Sequence, residues 1–365
     1  MKLKRYPLLF LLSLSLGAFV SSCDEESALN DVSFDREAML TSLADGLIIP
    51  NFRTLQSSVG VMNSLVNEFS ASPSIEKLKS VRAAWQQAVE DYQHTSAFGF
   101  GPANLPLGSL SSVLGVFPVD EGQLERNIGN PDFNLPASFD RDVRGFYAIE
   151  YLLFGEDLSV GDLVNGFDED RLAYLLLLVS EVKAIVDAVV FEWEGSYRGH
   201  FIASEGTSAG SSISVFYNEF IKDYENLKNF KVELPAGLTA GQAAADPRLV
   251  EAYYSGISNQ LLIAHFENSK NIWKGLSRGG EELIGFEEHL EAVVGGPTLI
   301  THTKIALTDI SRAVSSLPSG SLSENVETQE VRTLRDALQA NTANFKSSMS
   351  SLLGISITFN SGDGD

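Results

Sequence analysis

Ile75-Glu-Lys-Leu78-Lys-Ser-Val81-Arg-Ala-Ala-Trp85-Gln-Gln-Ala-Val89-Glu-Asp-Tyr92 sets Ile75, Leu78, Val81, Trp85, Val89 and Tyr92 three or four residues apart, with Lys77, Lys79, Gln87 and Glu90 off that stripe. A helix gathers such positions onto one face, so the segment reads as an amphipathic helix laid on a core. Ser72-Pro73-Ser74 stops the helix before it and caps this one. Upstream, Leu40, Leu43 and Leu47, then Leu55, Val59, Met62, Val66 and Phe69, repeat the spacing, and Pro50 predicts a kink or break between the two runs.

Downstream, the same periodicity predicts helices over 140–154, 168–193, 214–229, 248–274, 280–294, 300–316 and 326–353. The Gly- and Pro-rich stretch 98–118 cannot continue a helix, 118–136 reads as irregular, and a second long loop runs from Pro235 to Asp246. Loops of that length inside a compact domain are usually functional. Strand-like alternation is nearly absent. The expected fold class is therefore all-α, two tandem helical bundles with long irregular loops. The Gly/Ser-rich segment 206–212 marks the boundary, giving an N-terminal bundle over 35–204, a C-terminal bundle over 205–358 and a disordered tail over 359–365.

The first residues carry a separate message. Lys2, Lys4 and Arg5 precede the apolar run Leu8 to Val20, and Ser21 and Ser22 stand directly before Cys23. This is the anatomy of a secretory signal, too short to span a bilayer core that needs about 20 residues. Val20-Ser-Ser-Cys23 fits a lipobox, and Cys23 is the only cysteine of 365 residues, so it has no internal disulfide partner. Residues 1–22 are thus expected to be a lipoprotein signal peptide, Cys23 the lipidated residue, and 23–34 a tether to a bacterial membrane. Asp24-Glu-Glu26 resembles the export tags that send Bacteroidetes lipoproteins to the outer membrane or cell surface.

The formal charge is −22, and removing the signal, with three of the 26 basic residues and none of the 48 acidic ones, leaves −25. Such a charge repels phosphate backbones and anionic headgroups, which argues against a nucleic-acid partner and is compatible with cations. A zinc-protease His-Glu-x-x-His helix, a Cys/His cluster and a phosphate-binding Gly-rich loop are all missing, and the five histidines are scattered. In Gly145-Phe-Tyr147-Ala-Ile-Glu150-Tyr-Leu-Leu-Phe-Gly155, Tyr147 and Glu150 share a helix face, so a phenol and a carboxylate point the same way. Two readings follow: a pair of hard oxygen donors for ferric iron or another hard cation, or a buried tyrosine whose hydroxyl is bonded to a carboxylate. Asp91 and His94, also three apart on a helix, offer a substitute donor pair or, as the commoner reading, a surface pair, and Glu287, Glu288 and His289 read as a solvated helix face.

The motif Gly-x-Tyr-x-x-Glu-Tyr-Leu-Leu-Phe-Gly resembles the Gly-x-His-x-x-Glu motif of the imelysin-like family. Trp85 with Tyr92 before Phe98-Gly-Phe-Gly101-Pro102, Phe117-Pro-Val-Asp120, Lys231-Val-Glu-Leu-Pro-Ala-Gly237 and Glu251-Ala-Tyr-Tyr-Ser255-Gly-Ile-Ser258 are similar to other landmarks, in family order, across most of the chain. The resemblance implies a cleft shared by the two bundles, an envelope location and a link to iron uptake or iron-regulated expression. It implies a lining that includes Tyr147, Glu150, Asp120, Ser96, Gly101, Pro102, Trp85, Glu251 and Ser255, with iron or another cation on Tyr147 and Glu150. Two departures bear on that metal: Tyr147 replaces the motif histidine, and Ser96 stands where a glutamate commonly precedes the Phe-x-Phe-Gly-Pro stretch, so that either the site has shifted to an oxygen-rich one or it binds no metal. The expected function is an outer-membrane binding lipoprotein that captures an iron-related or other small ligand without catalysis. The alternatives are a metallopeptidase of imelysin type and a glycan- or polymer-binding protein.

Overall fold

The computed structural model describes residues 34–358 except 131, 132, 136, 137 and 157. The signal segment, Cys23, the tether up to residue 33 and the tail 359–365 lie outside the described residues. The chain is all-α: the strands among the described residues are Asn104–Leu105 (β1) and Gly108–Ser109 (β2), an antiparallel ribbon.

The first cluster of helices contains α1 (Arg36–Leu43), α2 (Ile49–Ala71), α3 (Ile75–Gln93), α4 (Leu110–Leu114), α5 (Glu121–Asn127), α6 (Gly145–Phe154), α7 (Val160–Asn165), α8 (Glu169–Glu192) and α9 (Arg198–Ala203). Ser74 caps α3 by accepting the Lys77 N–H, and the stripe from Leu78 to Tyr92 is buried as its spacing requires. Helix α2 lies along α3 and α8, and α6 is wedged against both of these. Pro50 sits in the first turn of α2, where its missing N–H leaves no bond unmade; the chain enters through a π-helical turn, Ala44–Ile48. The expected irregular stretch 118–136 contains α5, capped by Asp120. Helix α6 starts at Gly145, not near 140, because Arg144 turns inward to Glu181 (3.0 Å) and the Ser138 carbonyl (2.9 Å). Gly145 has φ +73°, and a Cβ there would fall 2.5 Å from the Leu114 carbonyl oxygen, so only glycine fits.

The second cluster contains α10 (Ser212–Lys228), α11 (Ser258–Lys274), α12 (Phe286–Glu291), α13 (Gly296–Ser315), α14 (Gln329–Thr342) and α15 (Met349–Leu353). Two expected helices are shorter than their apolar pattern. Residues 250–257 leave the helix expected from 248, with Ala252 at φ +55° and Gly256 at φ +72°. The helix expected from 280 begins at Phe286, because Gly275 and Gly285 bring two backbones together and Glu288 accepts the Gly285 N–H at 2.7 Å. One apolar core runs through both clusters. Helix α3 packs on α11, and Phe98 of the first cluster meets Phe216 of α10 at 6.0 Å between ring centres, with Phe286 stacked behind it at 5.5 Å.

Candidate functional site

Where the clusters meet, four local features turn polar groups toward one another. Helix α3 ends with Gln93, and Ser96 follows in a short turn. On α10 the stripe Phe216, Phe220, Leu227 takes in Asp223, a carboxylate at a core position and only 3% exposed. The π-helical turn Asn229–Glu233 rotates the chain end so that Lys231 comes inward beside Phe230. The non-helical stretch 250–257 supplies Glu251, and α11 supplies His265. Together they line a cleft of about 280 Å³ between the clusters.

The polar side chains form two sets of contacts. Tyr147 donates its hydroxyl to Glu251 Oε1, which also takes Gln93 Nε2 at 3.2 Å and faces Lys231 Nζ at 2.9 Å. Lys231 Nζ donates to Gln93 Oε1 at 2.5 Å. Ser96 donates to Asp223 Oδ2 at 3.1 Å, and His265 Nε2 lies 2.8 Å from the same oxygen. Two buried atoms have no partner: Glu251 Oε2 and His265 Nδ1. A buried polar atom left unpaired costs about 1–3 kcal/mol, and both of these belong to residues that line the cleft.

Tyr147 and Glu150 share a face of α6, as their spacing predicts, yet they hold different partners. The Tyr147 phenol is bonded to a carboxylate, that of Glu251 and not Glu150, while Glu150 Oε1 accepts the Ser255 N–H at 2.7 Å. Burial, with Glu251 beside it, pushes the Tyr147 phenol well above its ordinary range and keeps it protonated. Burial pushes Glu150 up to about 8, against the lowering effect of Ser255. The two groups thus hold separate partners here, the Tyr147 hydroxyl on Glu251 and Glu150 Oε1 on the Ser255 N–H. Among the described residues, no three His, Cys, Asp or Glu side chains stand together as a ligand set.

Of the residues expected at the site, Ser96 and Glu251 line the cleft, and Tyr147 backs it through Glu251. Ser255 contributes its N–H to Glu150 behind it. The others lie apart for identifiable reasons. Trp85 is core, its Nε1 bonded to the Phe146 carbonyl at 2.8 Å. Asp120 is an exposed helix cap, accepting the Gln123 N–H at 2.8 Å. Gly101, followed by Pro102 in a tight turn, leaves room for the Tyr197 ring, 2.1 Å from where a Cβ would stand. Asp91 and His94 are buried, not a surface pair: Asp91 binds Arg278 at 2.7 Å, and burial with Arg278 nearby lowers His94 to about 4. Nor are Glu287, Glu288 and His289 a solvated face, for Glu287 pairs with Lys304 and His289 is buried against the Phe34 ring at 4.2 Å. Sequence reasoning missed Gln93, Asp223, Lys231 and His265; the available signal was charge or polarity at core positions of an apolar stripe.

Comparison with known proteins agrees with this architecture. The chain is 22% identical over 212 residues to iron-regulated protein A of Synechococcus elongatus, a match covering 57% of this chain and 56% of that relative's length. The fold is similar to a crystal structure assigned as an iron-regulated protein A precursor from Parabacteroides distasonis, with TM-score 0.73, 18% identity, and 88% of this chain and 97% of that one covered. It is also similar to an imelysin-like protein from Psychrobacter arcticum, with TM-score 0.68, 17% identity, and 89% and 97% covered. With the family model for imelysin, Peptidase_M75, matching residues 48–349, the chain belongs to the imelysin family.

Proposed function

We propose that this protein is a lipid-anchored cell-envelope binding protein that captures a small ligand in the cleft between its helical clusters and does not catalyse a reaction on it. The observation that carries the reading is the pair of buried, unpartnered atoms, Glu251 Oε2 and His265 Nδ1, on residues that line a polar cleft built from both clusters. Tyr147, in the place of the family's motif histidine, supports that wall through Glu251. A metallopeptidase needs an open metal position and an activated water; the described side chains offer no set of three ligands to hold such a metal. The names of the relatives, iron-regulated protein A in two cases, support a role in iron-linked uptake at the envelope.

The expected result is that the full chain, purified natively, releases a small molecule on denaturation, and that Ser112→Trp, which fills the cleft from α4, purifies without it. Mass spectrometry of the two extracts makes the comparison. An identical extract from both proteins, or zinc-dependent peptide cleavage by the wild type, would reverse the reading. The anchor is tested separately: Cys23→Ser is expected to move the protein from the membrane fraction to the soluble fraction, because the acyl chains are the only apolar attachment proposed. No described helix is long and apolar enough to cross a membrane.

A further inference from the structure

Resting on the cleft as the ligand site, the charges on its walls narrow the ligand class. Lys231 is already engaged, by Gln93 at 2.5 Å and Glu251 at 2.9 Å. Asp223 and Glu251 are two carboxylates on the cleft wall, against the single ammonium of Lys231. The unpartnered Glu251 Oε2 is an acceptor, and so is His265 Nδ1 when Nε2 carries the proton toward Asp223. The same cleft presents the rings of Tyr92, Phe117 and Phe230, and Phe230 keeps 51% of its surface exposed although it is large and apolar. Two carboxylates facing one already engaged ammonium, set among aromatic rings, are the environment that recognises an organic cation.

We infer that the ligand is a small organic monocation, an amine carried on a short apolar or aromatic frame. An anion would meet two carboxylates with the one ammonium already spent. A neutral polyol would leave the excess charge uncompensated. A bare metal ion would need donors converging on one point, which the described side chains do not provide. The cleft, about 280 Å³, admits a small molecule. The protein's charge of −22 raises the local concentration of such a cation.

Isothermal titration of the full chain with phenethylamine, hexylamine, phenethyl alcohol and 3-phenylpropionate tests this. Expected are binding of an amine, at least tenfold weaker binding of the alcohol and none of the carboxylate. Asp223→Asn and Glu251→Gln should each weaken the amine tenfold or more. Phe230→Ala, at a half-exposed position that the fold does not need, should weaken it about threefold, as loss of a cation–π contact implies. If the buried variants fail to fold, the Phe230→Ala result stands alone. Failure of both amines to bind, equal binding of alcohol and amine, or amine binding untouched by Phe230→Ala overturns the inference. A co-purified neutral or anionic molecule that Ser112→Trp excludes overturns the monocation while leaving the cleft reading intact. Amine binding that survives Ser112→Trp overturns both.

Discussion

Replacing Glu150 by glutamine is expected to flatten the pH dependence of stability between pH 6.5 and 8. Glu150 is fully buried on α6, and burial raises its carboxyl to about 8. The folded state therefore holds a proton that the unfolded chain, titrating near 4.5, has already lost. Its contribution is fully present below about 4.5 and is lost as pH rises toward 8, at up to about 1.4 kcal/mol per pH unit. Once ionised it opposes the fold by on the order of 4–5 kcal/mol relative to an exposed carboxylate. Two histidines act in the opposite sense lower down: His94 and His289, each depressed to about 4 by burial, make stability rise with pH up to about 6.5. The interval from 6.5 to 8 is where Glu150 stands clear of them. Glu251, Tyr147 and Tyr254 are its ionisable neighbours, and Glu251 adds to the upward push. Urea unfolding of wild type at pH 6.5 and 8 should differ by roughly 2 kcal/mol. Glu150→Gln keeps an oxygen for the Ser255 N–H and should show almost no difference. Equal slopes for both proteins would mean that Glu150 ionises normally in the fold.

The same residue shows how far the sequence could be read. That Tyr147 and Glu150 share a face is a consequence of helical spacing, and the all-α architecture follows from stripes such as Leu78 to Tyr92. The partners of those two residues were not legible. Glu251 lies 104 residues beyond Tyr147, and it reaches the phenol only because 250–257 departs from an otherwise helical pattern. That departure includes Ala252 at φ +55°, a conformation for which alanine gives no warning in sequence. The inward turn of Lys231 depends on a π-helical turn, which has no periodic signature of its own. Asp223 and His265 were more accessible, because each interrupts an apolar stripe, Asp223 between Phe220 and Leu227 and His265 between Leu262 and Ile272. Polar residues at core positions were the better pointer to the site than the motif itself. Trp85, Asp120 and Gly101, expected in the lining, serve packing, capping and close approach instead.

Removing the ammonium of Lys231 is expected to have the largest effect on stability. Lys231→Met keeps the length and apolar stem of the side chain but leaves the Glu251 carboxylate, 4% exposed, with only the Tyr147 hydroxyl and the Gln93 amide as donors. Breaking one partner of a buried ion pair usually costs about 3–5 kcal/mol, because the remaining charge is stranded in a poorly solvated place. Gln93 Oε1 loses its donor as well. The loss should barely depend on salt, since both partners lie out of reach of mobile ions, in contrast to the exposed Arg53–Glu194 pair. Adding Glu251→Gln to Lys231→Met removes the stranded charge and should restore more than half of the stability, although Glu251→Gln alone destabilises. A double-mutant cycle by urea unfolding at pH 7 then reads a coupling of at least about 2 kcal/mol. A loss below about 1 kcal/mol in Lys231→Met, or no rescue by the second change, would show that the lysine is not what neutralises this wall of the cleft. Rescue of stability without rescue of amine binding would separate the structural contacts that Glu251 makes through Oε1 from its proposed part in the cleft.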